Sequence, residues 1–115
     1  MHLEVTSKSS EKIIIIYIDG DLTTNSSPKV EDEIKDILEG TAKNVIINVE
    51  RVNFIASTGL RIILALGKRL NSKGLKLTVC SMNSNTKSVF NLSGFTRIFP
   101  IFGDEEEAFS ALSKE

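Results

Sequence analysis

Asn53-Phe54-Ile55-Ala56-Ser57-Thr58-Gly59-Leu60 is the stretch whose residue types could do the most chemistry. Two adjacent hydroxyls, Ser57 and Thr58, stand where an apolar segment gives way to a helical pattern. A serine at such a boundary is a helix N-cap, its oxygen accepting a backbone N–H that has no helical partner. The same place suits a phosphate, because free N–H groups and the positive end of the helix dipole would face it. Phosphorylation there would add about −1.5 to −2 charges at a surface point and leave the fold unchanged. A partner docked on that helix end would then meet unmatched charge and bulk. Gly59, beside the hydroxyls, leaves the backbone open to close approach by another protein.

Catalytic chemistry has little to work with. The single histidine, His2, reads as a frayed terminal residue, and the single cysteine, Cys80, ends an apolar alternating stretch and reads as a buried structural thiol. Far apart in the chain, they make neither a zinc site nor a Cys–His pair. No imidazole serves Ser57 as a base. Gly67-Lys68-Arg69 mimics the end of a phosphate-binding loop, but it lacks the earlier glycine and the following Ser/Thr and lies inside a helical pattern. Asp19 and Asp21 are similar to the acid pair of a response-regulator receiver. A receiver also needs an aspartate at the end of its central strand, and Asn44 to Ala56 contains none. No catalytic residue, metal or cofactor is therefore expected.

The elements that must position Ser57 follow from periodicity. Leu3–Thr6 alternates as an edge strand would. Ile13–Ile18 and Asn44–Val49 are β-branched apolar runs, the pattern of strands buried on both faces. Leu75–Cys80 is a third such strand and Ile98–Phe102 a further short candidate. Asp19-Gly20-Asp21 is a turn signal. Ser27 as N-cap and Pro28 at the first helical position open a helix carrying Val30, Ile34, Ile37 and Leu38, closed by Gly40. From Ser57 a second helix presents Leu60, Ile63, Leu64, Gly67 and Leu70 on one side. A close contact with the sheet would offset the roughly 1 kcal/mol that a mid-helix glycine costs. Thr86–Leu92 is a short helix. Asp104 caps a last one, with Glu107 reaching back as in a capping box.

Strands alternating with helices predict a single α/β domain over residues 1–115. Its central sheet would have about five strands, mostly parallel and mixed at one edge, covered by about four helices. Sites in such sheets lie beyond the carboxyl ends of the strands, where Asp19–Asn25, Asn53–Gly59 and Ser81–Asn85 should converge.

The chain has 115 residues, room for one core and not two. Fourteen basic residues against fifteen acidic ones leave a net charge of −1, which gives no electrostatic reason to bind nucleic acid or an anionic membrane. Gly59–Lys76 nevertheless carries Arg61, Lys68, Arg69, Lys73 and Lys76 without an acid, and Asp104–Glu107 is an acidic run. These read first as solvated helix faces and otherwise as partner-facing polarity. One cysteine permits no intrachain disulfide, and no basic region followed by a long apolar stretch marks a signal peptide. No apolar run approaches the roughly 20 residues that span a bilayer. A cytoplasmic location, without direct membrane insertion, is the expectation.

Three places resemble the STAS domains, the family named for sulfate transporters and anti-sigma-factor antagonists. Ile18-Asp19-Gly20-Asp21-Leu22 is similar to the family's "G-E-L-D" turn. Ile55-Ala56-Ser57-Thr58-Gly59-Leu60 is similar to its "D-S-(S/T)-G-L" motif. Val89-Phe90-Asn91-Leu92-Ser93-Gly94-Phe95, with Ile98-Phe99 and the acidic run, looks like its closing helix, strand and helix. The resemblance implies partner switching. The dephosphorylated domain would sequester an anti-sigma factor that is also a serine kinase, phosphorylation at Ser57 (with Thr58 the alternative) would release it, and a serine phosphatase would reset it. The partner-facing edge it implies comprises Asp21, Thr23, Asn25, Ala56, Ser57, Thr58, Gly59, Leu60 and Arg61. Ala56 and Thr23 stand where the family has acids. These departures favour the alternatives, a non-phosphorylated scaffold or the STAS subunit of a membrane transport system of the lipid-trafficking ABC type.

Overall fold

The computed structural model describes residues 2–114. Its elements are β1 (Glu4–Ser9), β2 (Ile13–Asp19), α1 (Ser27–Leu38), β3 (Asn44–Arg51), α2 (Ser57–Ser72), β4 (Leu77–Cys80) and α3 (Ser84–Ser93). A 3-10 turn (Phe95–Arg97), β5 (Ile101–Phe102) and α4 (Glu105–Ser113) follow. The five strands form one sheet in chain order, β1-β2-β3-β4-β5. β1 is antiparallel to β2, and the other three pairings are parallel. This is the α/β domain the periodicity predicts, mixed at the edge where β1 lies.

The apolar runs of β2 and β3 do serve both faces. Ile14, Ile16 and Ile18 join Val45, Ile47 and Val49 in a core with Val30 and Ile34 of α1, Ile63 and Leu66 of α2, and Phe90 of α3. Ile13, Ile15 and Ile46 point the other way, toward Cys80 and toward Ala108 and Leu112 of α4. Each such side chain contributes about 1.5–3 kcal/mol when taken fully from water. One face thus carries three helices and the other carries α4. Asn48 anchors α4: its Nδ2 donates to Glu105 Oε1 at 3.2 Å. Burial, then the adjacent Glu105 carboxylate, pushes the Tyr17 phenol up to about 12.

Several boundaries differ from expectation for local reasons. Ile98–Phe102 is a strand only at Ile101–Phe102. Pro100 has no N–H for the ladder, and the preceding residues instead stack Phe95 edge-on between Phe90 and Phe99. Ser26, not Ser27, is the N-cap of α1, so Pro28 falls one residue later than expected. α3 starts at Ser84 because the Asn83 side chain accepts the Thr86 N–H at 2.9 Å. Asp104 caps α4 through the Glu107 N–H at 2.8 Å. Gly67 makes the close contact its position demanded, chiefly with the Phe99 ring and more loosely with Leu77 of the sheet.

Cys80 is wholly buried beneath α4, and burial pushes its thiol up to about 11. Ellman's reagent should label it fully in denaturant. In the native protein at pH 7, labelling should be slower by a factor on the order of 100 or more, set by the opening equilibrium. Stability should fall as pH rises from 9 toward 11, where the unfolded thiol ionises before the folded one.

Candidate functional site

The carboxyl ends of β2, β3 and β4 deliver three loops to one edge, and hydrogen bonds tie these loops together. Leu22 pairs with Ile55 in a parallel bridge. The Leu22 N–H donates to Phe54 O at 2.9 Å, and the Ala56 N–H donates to Leu22 O at 2.7 Å. Asp21 Oδ1 accepts the N–H groups of Asn53 and Phe54 at 3.2 and 3.1 Å. From the third loop, Asn83 Nδ2 donates to Val52 O and Asn53 Oδ1, each at 3.1 Å. The convergence of Asp19–Asn25, Asn53–Gly59 and Ser81–Asn85 is therefore real.

The start of α2 departs from expectation in one decisive detail. Ala56 is the N-cap, in extended conformation (φ −84°, ψ 166°), and Ser57 is the first helical residue. An alanine has no oxygen with which to cap, and no other described side chain caps α2. The Ser57 hydroxyl is consequently not consumed by capping. It is exposed and forms no hydrogen bond with a described residue. Thr58 is half-buried, and its Oγ1 lies 3.5 Å from Ser27 Oγ. Arg61, one turn beyond Ser57, is exposed.

Gly59 and Leu60 require correction. Gly59 is buried, and a Cβ there would come within 2.9 Å of Leu22 Cβ and 3.0 Å of Ile55 Cγ1. Its missing side chain makes room for the chain's own Leu22–Ile55 bridge, not for another protein. Leu60 belongs to the core, 8% exposed. The edge presents Thr24, Asn25, Asn53, Phe54, Ser57 and Arg61, all exposed, with Asp21, Thr23, Ala56 and Thr58 half-buried among them. Phe54, 54% exposed, was not singled out by sequence reasoning. Val52 and Ile55 on either side are buried, and burial does not alternate between them, so periodicity gave no signal for it.

Thr23 is bound into the entry of α1. Its N–H donates to Ser26 Oγ at 2.9 Å, and the Ser26 N–H donates to Thr23 Oγ1 at 3.0 Å. Ser27 Oγ donates to Thr23 O. Thr58, Ser27 and Thr23 thus form a chain of contacts joining the starts of the two helices.

His2 also departs from expectation: its Nε2 lies 3.3 Å from Asp19 Oδ2. With Glu4 these residues hold ligand-type atoms within 4.8 Å of one another. Both His2 and Glu4 are exposed, and nothing connects the group to Ser57. Among the described residues no helix is long and apolar enough to cross a membrane.

A mixed sheet with three helices on one face, α4 on the other and a helix starting at Ser57 beyond the strand ends makes a small α/β domain. The STAS domain model matches residues 4–108, and the chain belongs to the STAS domain family. It is 26% identical over 109 residues to BtrV of Bordetella bronchiseptica, covering 95% of this chain and 94% of that one. It is 25% identical over 113 residues to the anti-sigma F factor antagonist of Paenibacillus polymyxa, covering 97% of each. Among solved structures, an anti-sigma factor antagonist from Mycobacterium paratuberculosis superposes with a TM-score of 0.87 at 20% identity, covering 96% and 93% of the two chains. The antagonist SpoIIAA superposes in its unphosphorylated form (TM-score 0.81, 19% identity, 99% and 98% covered). Its phosphorylated form, described as a Bacillus cell fate determinant, also superposes (TM-score 0.71, 20% identity, 96% and 99% covered).

Two substitutions should move stability in opposite directions. Ala56→Asp supplies the missing cap and should raise stability by about 1 kcal/mol. Gly59→Ala drives a methyl into Leu22 and Ile55 and should lower it by about 1–3 kcal/mol despite the better helix propensity. Urea unfolding of both variants beside the parent checks the pair.

Proposed function

We propose that this domain is an anti-sigma factor antagonist that works by partner switching. In its dephosphorylated form it binds an anti-sigma factor that is also a serine kinase. Transfer of the γ-phosphoryl group from ATP to Ser57 Oγ forms a phosphate ester, releases ADP and the hydroxyl proton, and ends that binding. A serine phosphatase hydrolyses the ester and restores it. The domain acts by occupying its partner; the kinase, not this chain, supplies ATP and magnesium. Action away from the membrane, in the cytoplasm, fits this role.

The observation that carries the reading is the free Ser57 hydroxyl on the first turn of an uncapped helix. A phosphate there would lie near unpartnered N–H groups and one turn from the Arg61 guanidinium. It could be held without rearranging the loops beneath it. Thr58 is the poorer acceptor, being half-buried beside Ser27. Support also comes from SpoIIAA, an antagonist of the same fold known in two phosphorylation states.

Phe54 supplies the apolar part of the docking surface and Arg61 its charge. An exposed aromatic beside a hydroxyl and an arginine has the composition of an interface hot spot. On dephosphorylated protein the partner would cover all three. A second reading, a STAS scaffold or transport-system subunit, draws on Ala56, whose methyl replaces the acid of the family motif. It predicts a stable partner but no phosphate.

Incubation with ATP, magnesium and serine kinases from the same organism, followed by mass spectrometry, should place one phosphate on Ser57. Ser57→Asp should weaken kinase binding about tenfold or more, since it forces a charged group that must lose its water into the interface. Calorimetry reads the affinity. Unchanged affinity of Ser57→Asp would sink the switch, and stable binding to another partner without phosphate would favour the scaffold reading.

A further inference from the structure

The two edges of the sheet are finished differently. β5 closes one edge with only two residues, Ile101 and Phe102, and Pro100 before them has no N–H to offer a further strand. β1 forms the other edge with six residues, Glu4–Ser9, none of them proline or glycine. It pairs with β2 on one side, and no described strand pairs with it on the other. An edge of that kind is a template for another strand unless something blunts it.

The hairpin decides which backbone groups of β1 are available. The Ser10 N–H donates to Ile13 O at 2.8 Å. Along an antiparallel ladder, hydrogen-bonded pairs alternate with non-hydrogen-bonded ones. Counting back from Ser10, the N–H and C=O groups of Lys8, Thr6 and Glu4 turn toward β2, opposite Ile15, Tyr17 and Asp19. Those of Ser9, Ser7, Val5 and Leu3 turn outward, away from the sheet.

Charge points to the occupant. Glu4, Thr6 and Lys8 share one face of β1, with an acid at one end and a base at the other. Glu4 and Lys8 are both exposed, and neither forms an ion pair among the described residues. Glu4 also stands directly opposite Asp19, a like-charge pair that a further cation would relieve.

We propose that β1 pairs antiparallel with β1 of a second copy of this chain, about a twofold axis at Thr6. In that register Glu4 of each copy faces Lys8 of the other, and Thr6 faces Thr6. Val5 and Ser7 exchange N–H···O bonds across the axis, and Leu3 does the same with Ser9. These are the residues whose groups point outward. Glu4 and Lys8 then fall at non-hydrogen-bonded positions, where facing side chains come closer. Moving the axis to Ser7 keeps the backbone bonds but sets Lys8 against Thr6 and loses both ion pairs. The contact is the same on both copies, so it closes at two. Ser57, beyond the end of β3, is not part of this edge. Failure of the proposal would leave the reading of Ser57 intact.

Sedimentation equilibrium of the whole chain at low salt should show monomer and dimer exchanging over roughly 10 μM to 1 mM, the range of a small contact. Glu4→Lys and Lys8→Glu, both exposed changes, should each weaken the dimer about tenfold or more, because each sets like charges opposite one another twice. An equimolar mixture of the two variants should recover it, since every facing pair is then opposite in charge. Ser7→Pro removes an outward N–H and spares the ladder to β2, and it should abolish the dimer. Amide exchange at dimeric concentrations should slow at Val5 and Ser7 and stay unchanged at Thr6 and Lys8. A chain that remains monomeric up to about 1 mM would overturn the proposal. So would assembly beyond two copies, or a dimer that survives Ser7→Pro and both charge reversals. A mixture that fails to recover the dimer would overturn the register.

Discussion

The bridge between Leu22 and Ile55 is the constraint on which the partner-facing edge depends. Two backbone hydrogen bonds, Leu22 N–H to Phe54 O and Ala56 N–H to Leu22 O, join the loop after β2 to the loop after β3. They do so beyond the named strands, where the sheet would otherwise have splayed into independent turns. Everything at the start of α2 follows from that short ladder. It fixes the direction from which the chain enters the helix. It brings Leu22 so near the first helical turn that residue 59 can carry no side chain. Because Leu22 and Ile55 are both buried, the ladder is shielded from water, which would otherwise compete for its bonds.

Asp21 holds the same ladder from the side. An aspartate in that turn would ordinarily be read as a surface acid available to a partner. Here its carboxylate is spent on the N–H groups of Asn53 and Phe54. Carboxylate–amide bonds of this kind are stronger than neutral ones. The result is a hydrogen-bonded platform that carries the exposed Ser57 hydroxyl. Such a platform suits a phosphate switch, which needs a point where charge can be added without structural cost. Loops already bonded to one another also spare a docking partner the entropy of ordering them.

Much of this was legible in the residues, and the reasons for the exceptions are physical. The sheet order and the two-faced strands follow from runs such as Ile13–Ile18, because burial on both faces leaves no room for alternation. Convergence of the three loops follows from the parallel connections alone. What periodicity could not reveal is where a hydroxyl's bonds go. The residue types make Ser57 and Ser27 N-caps, yet each lies one residue inside its helix. At a helix start the cap and first-turn positions share the same residue preferences, so the boundary slides by one. Gly59 and Leu60 look like surface residues of a motif, yet the Leu22–Ile55 bridge, a contact across more than thirty residues of chain, buries them. Ile98–Phe102 read as a strand by composition. The missing N–H of Pro100 and the packing of three phenylalanines confine the strand to Ile101–Phe102.

The two departures from the family motif acquire different meanings in this setting. Thr23 trades hydrogen bonds with Ser26 at the entry of α1 and receives one from Ser27. A carboxylate there could accept the Ser26 N–H but would bring charge into a cluster of hydroxyls that now satisfy one another. Its replacement by threonine is thus compensated locally, within the domain. Ala56 is compensated by nothing among the described residues: α2 simply begins without a cap. An acid at that place would both cap the helix and oppose a phosphate on the next residue. Its absence leaves the N–H groups of the first turn available to an added phosphate and removes a like charge from beside it. The substitution that weakens the likeness to the motif therefore makes the environment of Ser57 more favourable to a dianion, at the expense of helix stability.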